Sequence, residues 1–162
     1  MTEEKKFYLT EEGLKRIRKE YEDLKELKLA KTRGESPEIL YSGDLNPEYL
    51  AFREDINFLG SKIIEFENII KNAELIRPPK EEKQNIIDLG ATVLVEIDGE
   101  IDEFRLVGTF EADPSNREIS NESPIGRALL GKRVGETVIV KTPIVNHVCK
   151  ITKIKYNNLN KP

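Results

Sequence analysis

Residues 42–49, Ser-Gly-Asp-Leu-Asn-Pro-Glu-Tyr, separate two long charged segments that both have helical periodicity. Gly43 can adopt the left-handed conformation that ends a helix. Asn46 can cap the next helix with its side-chain oxygen, and Pro47 suits the first helical position, where no backbone donor is needed. The stretch therefore predicts the tip of a hairpin made of two helices, with two carboxylates at the far end of a long arm.

The two segments beside this tip carry apolar residues at alternating spacings of three and four, a pattern typical of a coiled-coil seam. Each seam needs a partner, and the short turn makes the other segment the obvious one. We therefore predict an antiparallel two-helix coiled coil that begins after Thr10 as N-cap. The seam positions are Leu14, Ile17, Tyr21, Leu24, Lys28 and Lys31 in the first arm, and Leu45, Tyr49, Phe52, Ile56, Leu59, Ile63, Phe66, Ile70 and Ala73 in the second.

The first arm is interrupted near the tip. Gly34 is a possible C-cap, and Ser36-Pro37 has the composition that starts a helix. We therefore expect the first helix to break or kink at residues 34–37, with a short second helix after the break.

The period changes from helical to two after a proline-containing stretch, which ends the second arm. We predict a hairpin domain at 1–77, a linker at 78–84 and a sheet domain at 85–162. Asp98-Gly99 is a strong two-residue hairpin signal, and Ser123-Pro124 opens a short helix that Gly131 closes. The expected class is α+β, with a small antiparallel sheet and one short helix. The expected strands are Ala91–Ile97, Ile101–Val107, Arg117–Ser120, Thr137–Thr142 and His147–Tyr156.

The composition limits the function classes. The net charge of −4 does not suggest a general nucleic-acid binder. No apolar run approaches the roughly 18 residues of a membrane span, and Met1–Lys6 lacks a signal-peptide core, so we expect a cytoplasmic protein without membrane contact. We also expect a monomer. Cys149 is the only cysteine of the sequence, which excludes an internal disulfide. Its place in a strand favours a thiol in the core over a reactive thiol. His147 has no second ligand at metal-site spacing, which favours a structural role.

The order of a coiled-coil hairpin and a small α+β domain resembles the bacterial GreA/GreB transcript-cleavage factors over nearly the whole chain. The resemblance implies that the second domain is FKBP-like in fold and docks on RNA polymerase. It implies that the hairpin enters the secondary channel, where an acidic tip helps hold the polymerase's Mg²⁺ so that the backtracked 3′ end of the nascent RNA is cut. The matching runs are Gly43-Asp44-Leu45, Asn46–Tyr49 with Arg53-Glu54, Asn72–Ile76, Leu89–Val93, Leu106–Gly108, Glu111–Asp113, Ser123–Lys132 and Val140–Pro143.

The tip departs from the family pattern, which reads Gly-Asp-Leu, a variable residue, Glu, then Asn-Ala-Glu-Tyr. Here Leu45 runs directly into Asn46, so two positions are missing, one of them the second acid of the metal-binding pair. Asp44 corresponds to the first acid. Glu48 corresponds to the later glutamate, and it replaces the missing acid only if the helix begins at a different phase.

Two further groups of residues have both a structural and a functional interpretation. Lys25, Lys28, Lys31 and Arg33 correspond to a basic patch that lines RNA in the family, or they form a solvated helix face. Glu122-Ser123-Pro124 is a helix cap, and the resemblance adds polymerase docking.

Three hypotheses follow. The first is a Gre-type elongation factor that stimulates cleavage by the polymerase and has neither enzymatic activity nor a cofactor of its own. The second is a Gre-like regulator that occupies the channel without promoting cleavage, or that inhibits it. The third is a prolyl isomerase or chaperone that uses the FKBP-like domain, although the sparse aromatic residues of the second half poorly support an aromatic substrate pocket.

Overall fold

The structure, a computed structural model, describes residues 5–157, which divide into two compact units. A helical unit covers residues 14–73, and a sheet unit combines residues 5–13 with the chain from residue 74 onward. The predicted linker, 78–84, lies within the sheet unit and contains one 3-10 turn at Glu81–Lys83. Independent folding of the predicted domains stays a prediction, and their outermost residues, 1–4 and 158–162, lie outside the described part.

The regular elements follow in chain order. They are β1 (Phe7–Leu9), α1 (Glu11–Arg33), β2 (Leu40–Tyr41), β3 (Asp44–Leu45), α2 (Pro47–Lys71), β4 (Ala73–Leu75), β5 (Ala91–Ile97), β6 (Glu100–Val107), β7 (Glu118–Ser120), α3 (Pro124–Leu129), β8 (Thr137–Lys141) and β9 (Asn146–Tyr156).

The helical unit confirms the predicted antiparallel hairpin. Residue 28 of α1 lies beside residue 60 of α2, and residue 31 lies beside residue 55, so the two helices run in opposite directions. Of the predicted seam positions, Ile17 and Leu59 are buried and the others are half-buried, with one exception. Placing Leu45 in the seam is wrong, because it belongs to strand β3 and its side chain is 56% exposed. A helix on its own leaves its apolar stripe exposed to water. Packing of the two stripes against each other in this seam is therefore what stabilises both arms.

The α1 side of the seam becomes polar toward the tip. Lys28 and Lys31 occupy seam positions and are half-buried. Lys31 pairs with Asp55 across the two helices at 2.6 Å, and a Cβ on Gly60 would lie 3.4 Å from the Lys28 amine. Gly60 therefore leaves room for the end of the Lys28 side chain, which takes the place of an apolar residue on the α1 side of the seam.

The first arm ends where the sequence predicts a break. α1 stops at Arg33, and the amide of Gly34 donates to the carbonyl of Ala30 at 3.1 Å. The short second helix expected from Ser36-Pro37 is wrong, because the chain enters strand β2 instead. Proline disfavours the helical conformation for the residue before it, which helps to keep this stretch extended.

The sheet unit contains a five-stranded sheet in the order β7-β6-β5-β9-β8, with β8 at one edge. The predicted strands are confirmed, and Asp98 and Gly99 form the β5–β6 turn with φ of 52° and 84°. One pair departs from the antiparallel expectation, because β6 and β7 are parallel. Residues 108–117 form two 3-10 turns that carry the chain back before β7 begins, so β7 runs in the direction of β6.

The core of this unit follows from strand alternation. Ala91, Val93 and Val95 point to one face of β5 and are fully buried. Leu129 of α3 covers that face, and Cys149 and Ile151 of β9 complete it. Within residues 5–157, no helix is long and apolar enough to cross a membrane.

The N-terminal strand is an integral part of the sheet unit. Leu9 is fully buried, and its carbonyl accepts a hydrogen bond from the amide of Ile76 at 2.8 Å. A Cβ on Gly108 would lie 1.8 Å from the carbonyl oxygen of Tyr8, so only glycine permits this close approach. Strand β1 therefore fits against chain that lies about 100 residues later.

Candidate functional site

The tip of the helical unit is a two-residue β-hairpin. Leu40 pairs with Leu45 and Tyr41 with Asp44, while Ser42 and Gly43 form the turn with φ of 51° and 86°. Positive φ at both central residues is the geometry that matches the twist of paired strands. Gly43 therefore does adopt a left-handed conformation, but its predicted role as a helix C-cap is wrong, since α1 ends ten residues earlier.

Asn46 fastens this β-hairpin to α2. Its side-chain oxygen accepts from the amide of Glu48 at 3.0 Å, which confirms the predicted N-cap. Its side-chain nitrogen donates to the carbonyl of Glu38 at 2.8 Å, and its backbone amide donates to the carbonyl of Ile39 at 2.9 Å. One residue thus joins the incoming strand to the helix start and fixes the direction of the turn.

The two predicted metal-binding carboxylates lie on different elements. Asp44 is exposed on β3 directly after the turn, and Glu48 is exposed in the first turn of α2. No described residue engages the Asp44 carboxylate. Over residues 5–157, no three His, Cys, Asp or Glu side chains come together in a way that could hold a metal ion. Asp44 thus offers one hard oxygen ligand, which suits Mg²⁺ only if the other ligands come from elsewhere.

The tip segment, residues 34–49, is strongly acidic. It contains Glu35, Glu38, Asp44 and Glu48 and no lysine, arginine or histidine. A segment with this charge repels phosphate groups unless a cation lies between them. It therefore suits a position beside a bound metal ion better than direct contact with an RNA backbone.

Two of the four predicted basic residues, Lys25 and Lys31, form ion pairs within the hairpin. Lys25 pairs with Glu22 at 3.3 Å and lies over the ring of Tyr21 at 4.8 Å from its centre. Lys31 pairs with Asp55, and Lys28 is half-buried beside Gly60. Arg33 lies exposed in the last turn of α1. The contacts of Lys25, Lys28 and Lys31 favour the structural interpretation, and RNA contact by the four residues stays a prediction.

The predicted docking residues belong to a loop, residues 120–124, that runs from the last residue of β7 to the first residue of α3. Ser123 is the N-cap, since its hydroxyl accepts from the amide of Gly126 at 3.0 Å and donates to the carbonyl of Ser120 at 2.7 Å. The Thr109 hydroxyl donates to the Glu122 carboxylate at 2.9 Å. Pro124 and Glu122 are exposed. The loop thus presents a carboxylate and a rigid proline on a surface that hydrogen bonds hold in shape.

Glu111 is a residue that sequence reasoning did not single out. It is 7% exposed, and its carboxylate accepts from the amide of Thr10 at 2.6 Å and from the Thr10 hydroxyl at 2.5 Å. The same hydroxyl accepts from the amide of Gly13 at 3.0 Å, which confirms Thr10 as N-cap of α1. The sequence placed Glu111 in a matching run but gave no sign of a partner 101 residues away.

His147 and Cys149 fit the structural roles that the sequence favours. The Nδ1 atom of His147, on β9, lies 3.7 Å from a carboxylate oxygen of Asp98 in the β5–β6 turn. Cys149 is fully buried in the core, and burial, followed by the charge of Asp98, raises the pKa of its thiol. A raised pKa keeps the thiol protonated and unreactive at neutral pH.

Comparison with known proteins covers both units. Residues 7–75 match the family model described as transcription elongation factor, N-terminal, and residues 82–156 match transcription elongation factor, GreA/GreB, C-term. Transcription elongation factor GreA of Thermomicrobium roseum is 40% identical over 149 residues, which are 91% of this chain and 96% of the relative. The factor of the same name from Clostridium acetobutylicum is 39% identical and covers 96% of this chain and 100% of its own. A solved structure, the GreA factor homolog 1 protein of Thermus thermophilus, is 25% identical and covers 93% of this chain and 99% of its own, with a TM-score of 0.41.

Proposed function

The chain belongs to the GreA/GreB family of transcription elongation factors, and from that premise we propose that it binds RNA polymerase through its sheet unit and places its hairpin tip in the secondary channel. There it acts on backtracked RNA with Asp44 as the tip carboxylate that approaches the catalytic metal. The observation that carries this proposal is the exposed Asp44 side chain on β3, directly after the turn, in a tip hairpin that Asn46 joins to α2.

The docking part of the proposal rests on residues 120–124. Ser123 holds the backbone of the loop, and Thr109 orients the Glu122 carboxylate. A loop whose shape is already fixed loses little conformational entropy on binding. Pro124 and Glu122 then supply an apolar and a charged contact to a complementary surface of the polymerase.

The metal belongs to the polymerase, and this chain would hold it through the carboxylate of Asp44. When bound, Mg²⁺ in such a site would supply activation of water and stabilisation of charge at the scissile phosphate. The residues of this chain do the positioning. The Ser42–Gly43 turn and the bonds of Asn46 direct the carboxylate, and the acidic tip segment disfavours phosphate contact elsewhere. The protein would be inactive without polymerase. It would act as a monomer in the cytoplasm, where transcription takes place.

A second candidate function has its own support. The family's second tip acid is missing from the sequence, and Glu48 lies on α2 rather than on the turn with Asp44. A protein with one tip ligand would occupy the channel but stimulate cleavage weakly or not at all, and it would compete with other factors for the polymerase. Family membership leaves the prolyl isomerase hypothesis without support.

The test is a cleavage assay on reconstituted backtracked elongation complexes. We expect the wild-type protein to bind, Asp44→Ala to bind equally well, and any Mg²⁺-dependent shortening of the RNA to disappear with Asp44→Ala. Glu38→Gln is the matched control, because it removes a charge from the same tip segment but not from the turn. Loss of stimulation in both variants would mean that overall tip charge, not Asp44, carries the effect.

The same assay distinguishes the two candidate functions. Shortening by the wild-type protein supports a cleavage factor, and binding without shortening supports the channel-occupying regulator. If Glu48→Gln abolishes cleavage while Asp44→Ala does not, the metal contact assigned to Asp44 is wrong.

A further inference from the structure

Tyr41 is the most prominent apolar group of the tip segment. Its side chain is 72% exposed and makes no hydrogen bond or ring contact with any described residue. An exposed aromatic ring is costly in water and is enriched where one face meets a partner. The position of this ring beside the candidate metal ligand indicates what that partner is.

The register of the tip hairpin brings Tyr41 and Asp44 together. The two residues pair directly across the turn, so their side chains project from the same face, with Cβ atoms about 5 Å apart. Leu40 and Leu45 form the next pair and therefore project from the opposite face. One face of the tip thus carries a carboxylate and an aromatic ring side by side.

We infer that Tyr41 stacks on an unpaired nucleobase of the displaced RNA, next to the phosphate that the Asp44-bound metal would contact. The inference rests on the proposed function, which brings single-stranded RNA to the tip. The tip segment has four carboxylates and no basic residue, so it cannot attract RNA by charge. Stacking depends little on charge and accepts any base, because every base has a π-face.

The backbone of the tip favours such a contact. The Ser42–Gly43 turn, and the two bonds from Asn46 to the carbonyls of Glu38 and Ile39 just before β2, hold the ring on a rigid support. A tyrosine side chain has two rotatable bonds, so little entropy is lost when it is fixed against a base. The predicted role is that of a positioning residue, which aligns the RNA end relative to the Asp44 carboxylate.

The test measures binding of the full chain to reconstituted backtracked elongation complexes whose displaced 3′ nucleotide either carries a base or is abasic. For the wild type and Tyr41→Phe, we expect removal of the base to weaken binding about tenfold. Tyr41→Leu keeps an apolar side chain without a π-face, and its affinity should be the same for both complexes. Leu40→Ala, on the opposite face of the same hairpin, should retain the base dependence of the wild type.

Two results separate this inference from the proposed function. If the wild type binds equally with and without the base, or Tyr41→Leu keeps the full base dependence, the ring contacts protein or solvent and the inference is overturned, while polymerase binding stands. If the chain binds neither complex, the proposed function fails and the inference fails with it. Because binding is measured rather than cleavage, the result does not depend on whether the second tip acid is needed.

Discussion

Replacement of Gly13 by alanine should destabilise the protein, although the same change stabilises most helices. In an ordinary helix, alanine gains about 1 kcal/mol over glycine. Here a Cβ would lie 2.1 Å from a carboxylate oxygen of Glu111 and 2.2 Å from its carboxyl carbon, so the buried carboxylate has to move. It would give up its hydrogen bonds to the amide and the hydroxyl of Thr10, each worth about 1.5–3 kcal/mol for a charged acceptor.

The loss exceeds the gain, so we expect the free energy of unfolding to fall by about 2 kcal/mol and Tm by about 4–8 °C for a chain of this size. The measurement is thermal and urea unfolding followed by circular dichroism. Gly60→Ala is the matched control, because its nearest neighbour is the flexible amine of Lys28 at 3.4 Å. The control should be neutral or stabilising by up to about 1 kcal/mol.

A double-mutant cycle separates this clash from other effects of the new methyl group. Glu111→Ala alone leaves the Thr10 donors without their acceptor, and addition of Gly13→Ala to that background should cost little or nothing. If Gly13→Ala stabilises the wild-type protein as much as Gly60→Ala does, the contact between Glu111 and the start of α1 does not hold in solution.

Three further outcomes are expected. Asn46→Ala removes a cap worth about 1 kcal/mol, so amide exchange should become faster in β2 and in the first turn of α2 but stay unchanged in β5. Exchange rates in β2 and α2 equal to those of the wild type would contradict the role of Asn46 in joining the two elements. Gly126→Ala places a Cβ 2.0 Å from the carbonyl oxygen of Ser120, so it should distort the docking loop and weaken polymerase binding in a competition assay. Unchanged affinity would mean that the loop does not contact the polymerase. Burial raises the pKa of the Cys149 thiol, so thiol reagents should modify Cys149 only when the protein unfolds. The contribution of the protonated thiol to stability should be lost as the pH rises above about 9. Rapid labelling of the native protein would show that the thiol is accessible.

Local chemistry allows prediction of the elements that depend on neighbouring residues. The Asp98–Gly99 turn, the caps at Asn46 and Ser123 and the strand alternation of β5 all involve residues within a few positions of each other, and all are confirmed. The Ser42–Gly43 turn has the same pair of positive φ angles as the Asp98–Gly99 turn, yet the sequence around it predicts a helix end. Only two residues on each side form strands there, and the helical periodicity around them is much stronger.

Contacts between distant segments could not be predicted. Glu111 meets Thr10 across 101 positions, and Gly108 and Gly126 are required by carbonyl oxygens of other segments. The parallel direction of β7 depends on the path of residues 108–117, whose composition is compatible with several loops. The site residues Asp44 and Glu122 were named from family resemblance, and their roles depend on a partner that the chain alone does not encode.

Assignment of residues 5–13 to the sheet unit has a consequence for synthesis on the ribosome. The first part of this unit leaves the ribosome before any of the helical unit, and Gly108 and Glu111, which complete its surroundings, are translated about 100 residues later. At a translation rate of 5–20 residues per second, Gly108 and Glu111 are synthesised roughly 5–20 s after β1. The complete α1–α2 pair can form during this interval. Deletions within residues 5–13 should therefore disturb maturation of the sheet unit, although the helices are nearer in sequence.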